Sequence, residues 1–145
     1  MIPNDVDSYL SPDAGEILRP DRKAAEAALQ ALGVPLGTEF ADFYLKYQGG
    51  FISPRPVAEL LDIEGPIDPN IPVQTAYAQD RYGLPQKYLA LTSDESEGMY
   101  LYDKEDQAVY DMDFDNLKDL LDDRLAARWA TFNAFLSWYF DESGD

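Results

Sequence analysis

The spacing of apolar positions changes along this chain, and it predicts which segments are helices and which are strands. Residues 1–10 are polar, with one proline and no period, and are expected to form a loosely held terminus. Ser11-Pro12-Asp13 is a helix start with proline at the first helical position. Asp21 can cap a second helix, in which Ala24, Ala25, Ala28, Leu29 and Leu32 form one stripe and Gly33 stops it. Thr38 can cap a third. There Phe40, Phe43, Tyr44 and Tyr47 fall at i, i+3, i+4 and i+7, the spacing of a buried helical face. Gly49-Gly50 is expected to supply the left-handed residues that end it.

Strand spacing follows. Phe51–Pro56 reads as a turn or short edge strand, and Leu60–Ile63 as a strand. Residues 64–74 hold Pro66, Pro69 and Pro72 and should be irregular, with Thr75–Tyr82 a short helix at best. Tyr88–Leu91 reads as a strand. Gly98–Asp103 and Ala108–Phe114 read as a hairpin joined by residues 104–107. On its second strand Tyr110, Met112 and Phe114 point one way while Asp111 and Asp113 point the other. Asp122 or Asp123 can cap a last helix bearing Leu125, Trp129, Phe132, Leu136 and Tyr139. Residues 141–145 should fray. The order of helices, strands, then a helix predicts one α+β domain over residues 1–145, with helices packed on a mainly antiparallel sheet.

Composition narrows the chemistry. The 145 residues include no Cys and no His. There is therefore no disulfide framework, thiol nucleophile, imidazole base or imidazole metal ligand. With 28 Asp and Glu against 11 Lys and Arg, the formal charge is −17. That argues against nucleic acid as a partner, since duplex binding needs cations to displace counterions. It favours a basic protein surface. Met1-Ile-Pro-Asn-Asp-Val-Asp lacks the regions of a signal peptide, and the most apolar stretch, Ala134–Phe140, is too short to cross a bilayer. A soluble, cytoplasmic protein is expected.

Much of the charge is concentrated. Asp94, Glu95, Glu97, Asp103, Glu105, Asp106, Asp111, Asp113 and Asp115 face one base, Lys104, within 22 residues. Such density reads either as a solvated face that keeps the protein soluble or as a docking surface for a cationic partner. Tyr100 and Tyr102 sit two apart on one strand and share a face, where tyrosine can anchor an interface or cover the sheet. Asp111, Asp113 and Asp115, with Asn116 and Asp122, nearly fit a twelve-residue calcium loop. Two positions fail: Asn116 stands where Gly is wanted, and Asp122 where Glu is. With so many acids, a carboxylate pair at glycosidase spacing carries no signal, and no phosphate-binding glycine loop is present.

The run from Val34 through Phe40, Phe43, Tyr44 and Tyr47 to Gly49-Gly50 resembles the opening signature of the SUKH superfamily (Smi/Knr type). Tyr88–Leu91, Gly98–Asp103 and Val109-Tyr110 resemble its central strands. Trp129, Phe132, Phe135 and Leu136 resemble its closing helix. The resemblance spans about residues 17 to 140. Gln48 replaces the usual Asn, Thr131 stands where Ser is common, and Ile63–Pro72 matches nothing in the pattern.

The resemblance implies a non-catalytic binding protein without cofactor or metal. Bacterial members are largely immunity proteins that bind and block a cognate toxin, and eukaryotic relatives act as protein-binding modules. The expectation is a cytoplasmic inhibitor of a basic, nucleic-acid- or nucleotide-directed toxin, monomeric or weakly dimeric. The alternative is a regulatory adaptor with no toxin partner, and a calcium-dependent adaptor stands behind that. The nine acids of the run are the expected charge contacts, with Tyr100 and Tyr102 as aromatic anchors.

Overall fold

Phe40, Phe43 and Tyr44 are fully buried at the centre of the core, where Phe40 stacks on Tyr102 of the sheet with ring centroids 4.6 Å apart. The structure is a computed structural model that describes residues 1–66, 69–95 and 97–143. Its elements are α1 (Asn4–Leu10), a 3-10 turn (Ser11–Asp13), α2 (Ala14–Ile17), α3 (Arg22–Leu32), α4 (Glu39–Lys46) and α5 (Ile71–Tyr82). Then come β1 (Tyr88–Ala90), β2 (Gly98–Asp103), β3 (Val109–Asp113), α6 (Leu117–Leu121) and α7 (Phe132–Tyr139). The class is α+β, with helices flanking an antiparallel sheet of order β1-β2-β3.

Both sheet faces are covered, by different helices. Leu89, Leu91, Tyr102 and Val109 join the larger core with α1, α3, α4 and α7. Tyr88, Ala90, Met99, Leu101, Tyr110 and Met112 pack with Ala78 of α5, Leu84 and Leu120 of α6. The helices start where short polar side chains cap them. Asp21, Thr38, Asn70 and Thr131 accept the amides of Ala24, Ala41, Val73 and Ala134 at 3.0, 3.1, 3.0 and 3.1 Å. Arg19 closes the C-terminal end of α4. Its side chain is 2% exposed, pairs with Asp62 at 2.6 Å, and donates to the carbonyls of Tyr44 and Tyr47 at 3.0 and 2.9 Å. Those carbonyls would otherwise lack partners, as last-turn carbonyls do.

Several expectations from the sequence are corrected. The first ten residues are not loose: α1 buries Val6 and Leu10 in the main core. The start of the tail is held where Asp141 pairs with Arg55 at 3.3 Å; residues 144 and 145 lie outside the described residues. Residues 64–74 are irregular only to Asn70, because Pro72 lies in the first turn of α5, where proline is tolerated. Part of that stretch, residues 67 and 68, is outside the described residues. Gly49 and Gly50 do not take the left-handed conformation. A side chain on Gly49 would collide with the Phe51 ring, and one on Gly50 would have to displace the Glu59 carboxylate. Leu60–Ile63 forms no strand beyond a single bridge between Phe51 and Leu60. The last helix begins at Phe132, not after Asp123. Trp129 is instead drawn into a bridge with Val109 at the edge of β3.

Eight of the ten tyrosines have raised pKa values, with burial as the largest cause at each; that of Tyr102 is pushed up to about 12. A phenol raised above its unfolded value near 10 contributes stability that is complete below about pH 10 and lost as pH rises through the folded value. In alkaline titration, tyrosinate absorbance is expected to appear late and together with unfolding. Eight phenols ionising near pH 10 in a folded chain would contradict this. Leu10→Ala is expected to lower the unfolding free energy by about 2–5 kcal/mol in denaturant melts, since it empties a core position. A loose terminus would lose less than about 0.5 kcal/mol.

Candidate functional site

The sheet register decides which acids can act together. Tyr100 pairs with Asp111, and Gly98 with Asp113, so all four share the face of the larger core. The aromatic cover of that face stops at Tyr100, which meets Trp129 and Trp138 edge-on at centroid distances of 5.5 and 5.8 Å. The last rung holds Gly98 and Asp113. Gly98 has no side chain to offer, and one added there would collide with the Met112 carbonyl. Asp113 is charged and exposed. The uncovered end is therefore a groove of about 600 Å³. Tyr100, Gly98 and Thr92 line it, with residues 56–58 and the acids Glu97, Asp111, Asp113 and Asp115.

Local hydrogen bonds hold the acidic wall in place. Asp113 and Asn116 exchange side-chain to backbone bonds at 2.9 and 3.0 Å, making a tight turn. The Glu97 carbonyl accepts the Phe114 amide at 3.3 Å. Arg128 is a cation at the rim, and Arg55, beside the wall at residues 56–58, lies over the Trp138 ring at 4.6 Å. Arg128 pairs with Asp111 at 2.6 Å, both side chains being partly exposed, and lies over the rings of Trp129 and Trp138 at 4.5 and 4.7 Å. Burial, and next the Asp111 charge, raise the Tyr100 pKa, so the floor of the groove presents a neutral phenol.

The structure separates the sequence-predicted site residues into three groups. Glu97, Tyr100, Asp111, Asp113 and Asp115 meet in the groove. Asp94 and Glu95 lie just before it; Asp94 accepts the Tyr82 hydroxyl, and Glu95 is exposed. Ser96, between them and Glu97, is outside the described residues. The hairpin tip, with Glu105 and Asp106, lies at the other end of the six-residue β2, about 17 Å away.

Two residues are withdrawn as contact residues. Tyr102 is 1% exposed, because it fills the core between Phe40 and Phe132. Asp103 is 1% exposed and builds the hairpin turn. One of its oxygens accepts the amides of Glu105 and Asp106 at 2.7 and 3.3 Å. The other pairs with Lys87 at 3.4 Å. Burial is the largest single influence and opposes the Lys87 charge, but Asp103, Tyr88 and Asp123 together outweigh it, and the pKa of Lys87 is raised. Asp106 is also engaged, accepting the Ala108 amide and the Tyr110 hydroxyl, both at 2.8 Å.

The calcium-like run Asp111 to Asp122 is not a loop. It is the end of β3, a turn and α6. Among the described residues, no group of three acids is placed to hold a metal ion. Strand addition is also unfavourable at β3. Val109 already bonds to Arg128 and Trp129, while Asn116 occupies the outward-facing groups of Asp111 and Asp113. Arg128 drew no notice in the sequence, where the last helix was expected to run back over Trp129. The cap at Thr131 was the signal that would have placed Arg128 before the helix.

The geometry defines a small acidic α+β domain with a carboxylate-lined groove at one end of its sheet. The chain belongs to the SMI1 / KNR4 family (SUKH-1), whose model matches residues 20–138. No curated protein and no solved structure matches it. Among the described residues, no helix is long and apolar enough to cross a membrane.

The two aspartates assigned different roles should differ in stability. Asp103→Ala is expected to cost about 3 kcal/mol in thermal or denaturant unfolding, because it strips two turn amides and a half-buried lysine of their acceptor. Asp111→Ala should cost less than about 1 kcal/mol, as its pair is partly exposed. Equal losses would mean the groove carboxylate is structural.

Proposed function

We propose that this protein is an immunity-type inhibitor that binds a cognate basic toxin domain in the cytoplasm and blocks it by stoichiometric occlusion. The observation that carries this reading is the groove, where Glu97, Asp111, Asp113 and Asp115 converge on a neutral tyrosine floor, with Arg128 paired to Asp111. Membership of the SUKH-1 family supports it, since the resemblance implies non-catalytic binding proteins that are largely immunity proteins in bacteria. A chain without His or Cys also suits binding better than catalysis.

In this mechanism the carboxylates stand in for a phosphate backbone. A nucleic-acid- or nucleotide-directed toxin must carry a cationic cleft, and the acidic rim would enter or cover it. Charges at the rim raise the encounter rate; a few central contacts carry the residence time. Asp111 releases Arg128 or shares it when a partner cation arrives, at little cost, because the pair is partly exposed.

Capture from the source cells at low salt, followed by mass spectrometry, supplies the partner. One basic protein at equal stoichiometry, released by salt and inactive while bound, is the expected result. A diverse set indifferent to salt would favour the adaptor reading instead. With the partner in hand, Asp111→Lys/Asp113→Lys is expected to slow association at least about tenfold at low salt while leaving the fold intact. Unchanged association and dissociation rates would remove the groove from the interface.

A further inference from the structure

Helix α5 buries Ile71 and Ala78, but its two faces are mixed. It also buries Gln74 and Thr75, each 6% exposed, and leaves Val73 and Tyr77 49% and 45% exposed. The inward polar residues have work at the sheet. The Thr75 hydroxyl accepts the Ala90 amide at 2.9 Å on the free side of β1, and the Gln74 amide reaches the Met99 sulfur at 3.7 Å. No such need explains the outward apolar ones.

These outward side chains continue into a ridge. Val73 and Tyr77 are neighbours at i and i+4. Tyr77 meets the Tyr82 ring at a 6.3 Å centroid distance, and Tyr82 meets Phe114 at 5.3 Å. Phe114, 42% exposed, is itself a wall of the acidic groove. The ridge and the groove are therefore one continuous surface, apolar and aromatic on one side and anionic on the other.

We propose that this ridge is the apolar half of the docking surface, and that its occupant is an amphipathic basic segment of the partner protein. Cationic side chains would enter the groove while apolar ones lie along Phe114, Tyr82, Tyr77 and Val73. The proposal rests on the groove being the site for a basic partner. Charge selects that occupant over a second copy of this chain. Asp80, Asp113 and Asp115 are exposed around the ridge against one cation there, Arg81 over the Tyr82 ring at 5.4 Å, so the described surface is net anionic and two copies would repel. The division of labour follows from interface energetics: desolvated aromatics hold the complex, and rim carboxylates speed its formation.

The test uses the full chain, Tyr77→Ser/Phe114→Ser, and three fluorescent peptides. One peptide has arginines and leucines on opposite faces of a helix, the second is its scrambled isomer, and the third is oligolysine. Both side chains are partly exposed, so far-UV circular dichroism should match the wild type and the variant should still melt in one cooperative transition. The amphipathic peptide is expected to bind tightest and to lose about tenfold in affinity on the double variant, with oligolysine unchanged. If the scrambled isomer binds as well as the amphipathic one, or the double variant changes neither affinity, the ridge is overturned and the groove reading survives. If no peptide binds the wild type at low salt, both readings fall. Sedimentation showing a dimer that the double variant dissolves would assign the ridge to self-association and overturn the proposal.

Discussion

Tyr100 packs edge-on against Trp129 and Trp138, and beyond it one face of the sheet has no aromatic cover. The site depends on where that layer ends. The next rung, Gly98 with Asp113, cannot be buried: a bare glycine fills no volume, and an unpaired carboxylate in a core costs several kcal/mol. The chain therefore leaves the rung open and gathers Glu97, Asp111 and Asp115 beside it. Arg128 offsets part of the mutual repulsion, stacked on the same two indoles that end the layer. The aromatic boundary and the charge balance of the groove are thus set by one set of side chains.

A second constraint keeps that boundary fixed. The Arg19–Asp62 pair, capping the carbonyls at the end of α4, ties the segment after α2 to the loop before α5. The Tyr44 hydroxyl donates to the Leu61 carbonyl at 2.8 Å, and the Leu61 amide donates to the Leu91 carbonyl at 2.9 Å. A chain of polar contacts thus runs from the buried helix to the sheet. A buried arginine with its partners satisfied adds specificity of arrangement more surely than net stability. Here it holds in register the loop that leads from the groove wall at residues 56–58 toward the apolar ridge of α5.

The elements with strong periods were legible. The stripes of α3 and α4, the hairpin and its two-faced second strand follow from spacing and caps alone. Other features were hidden because tertiary partners decide them. A polar terminus reads as loose, yet two apolar residues, Val6 and Leu10, suffice to anchor α1. Trp129 fits a helical stripe as well as it fits a bridge to Val109, and only the edge of β3 chooses between them. At the site, the strand alternation placed Asp111 and Asp113 correctly on one face. It could not show that Tyr102 lies under the helices while Tyr100, on the same face, lies at their margin. Nor could it show that Asp103 and Asp106 are spent on the turn. The outward apolar residues of α5 gave no signal, because the inward polar ones blur its amphipathic pattern.

Hydrogen exchange on the complex with the captured partner tests the central claim directly. The account predicts slowed exchange at Gly98–Tyr100 and Asp111–Asp115, with the hairpin tip at Glu105–Gln107 unchanged. Slowed exchange at the tip, with the groove unaffected, would contradict it.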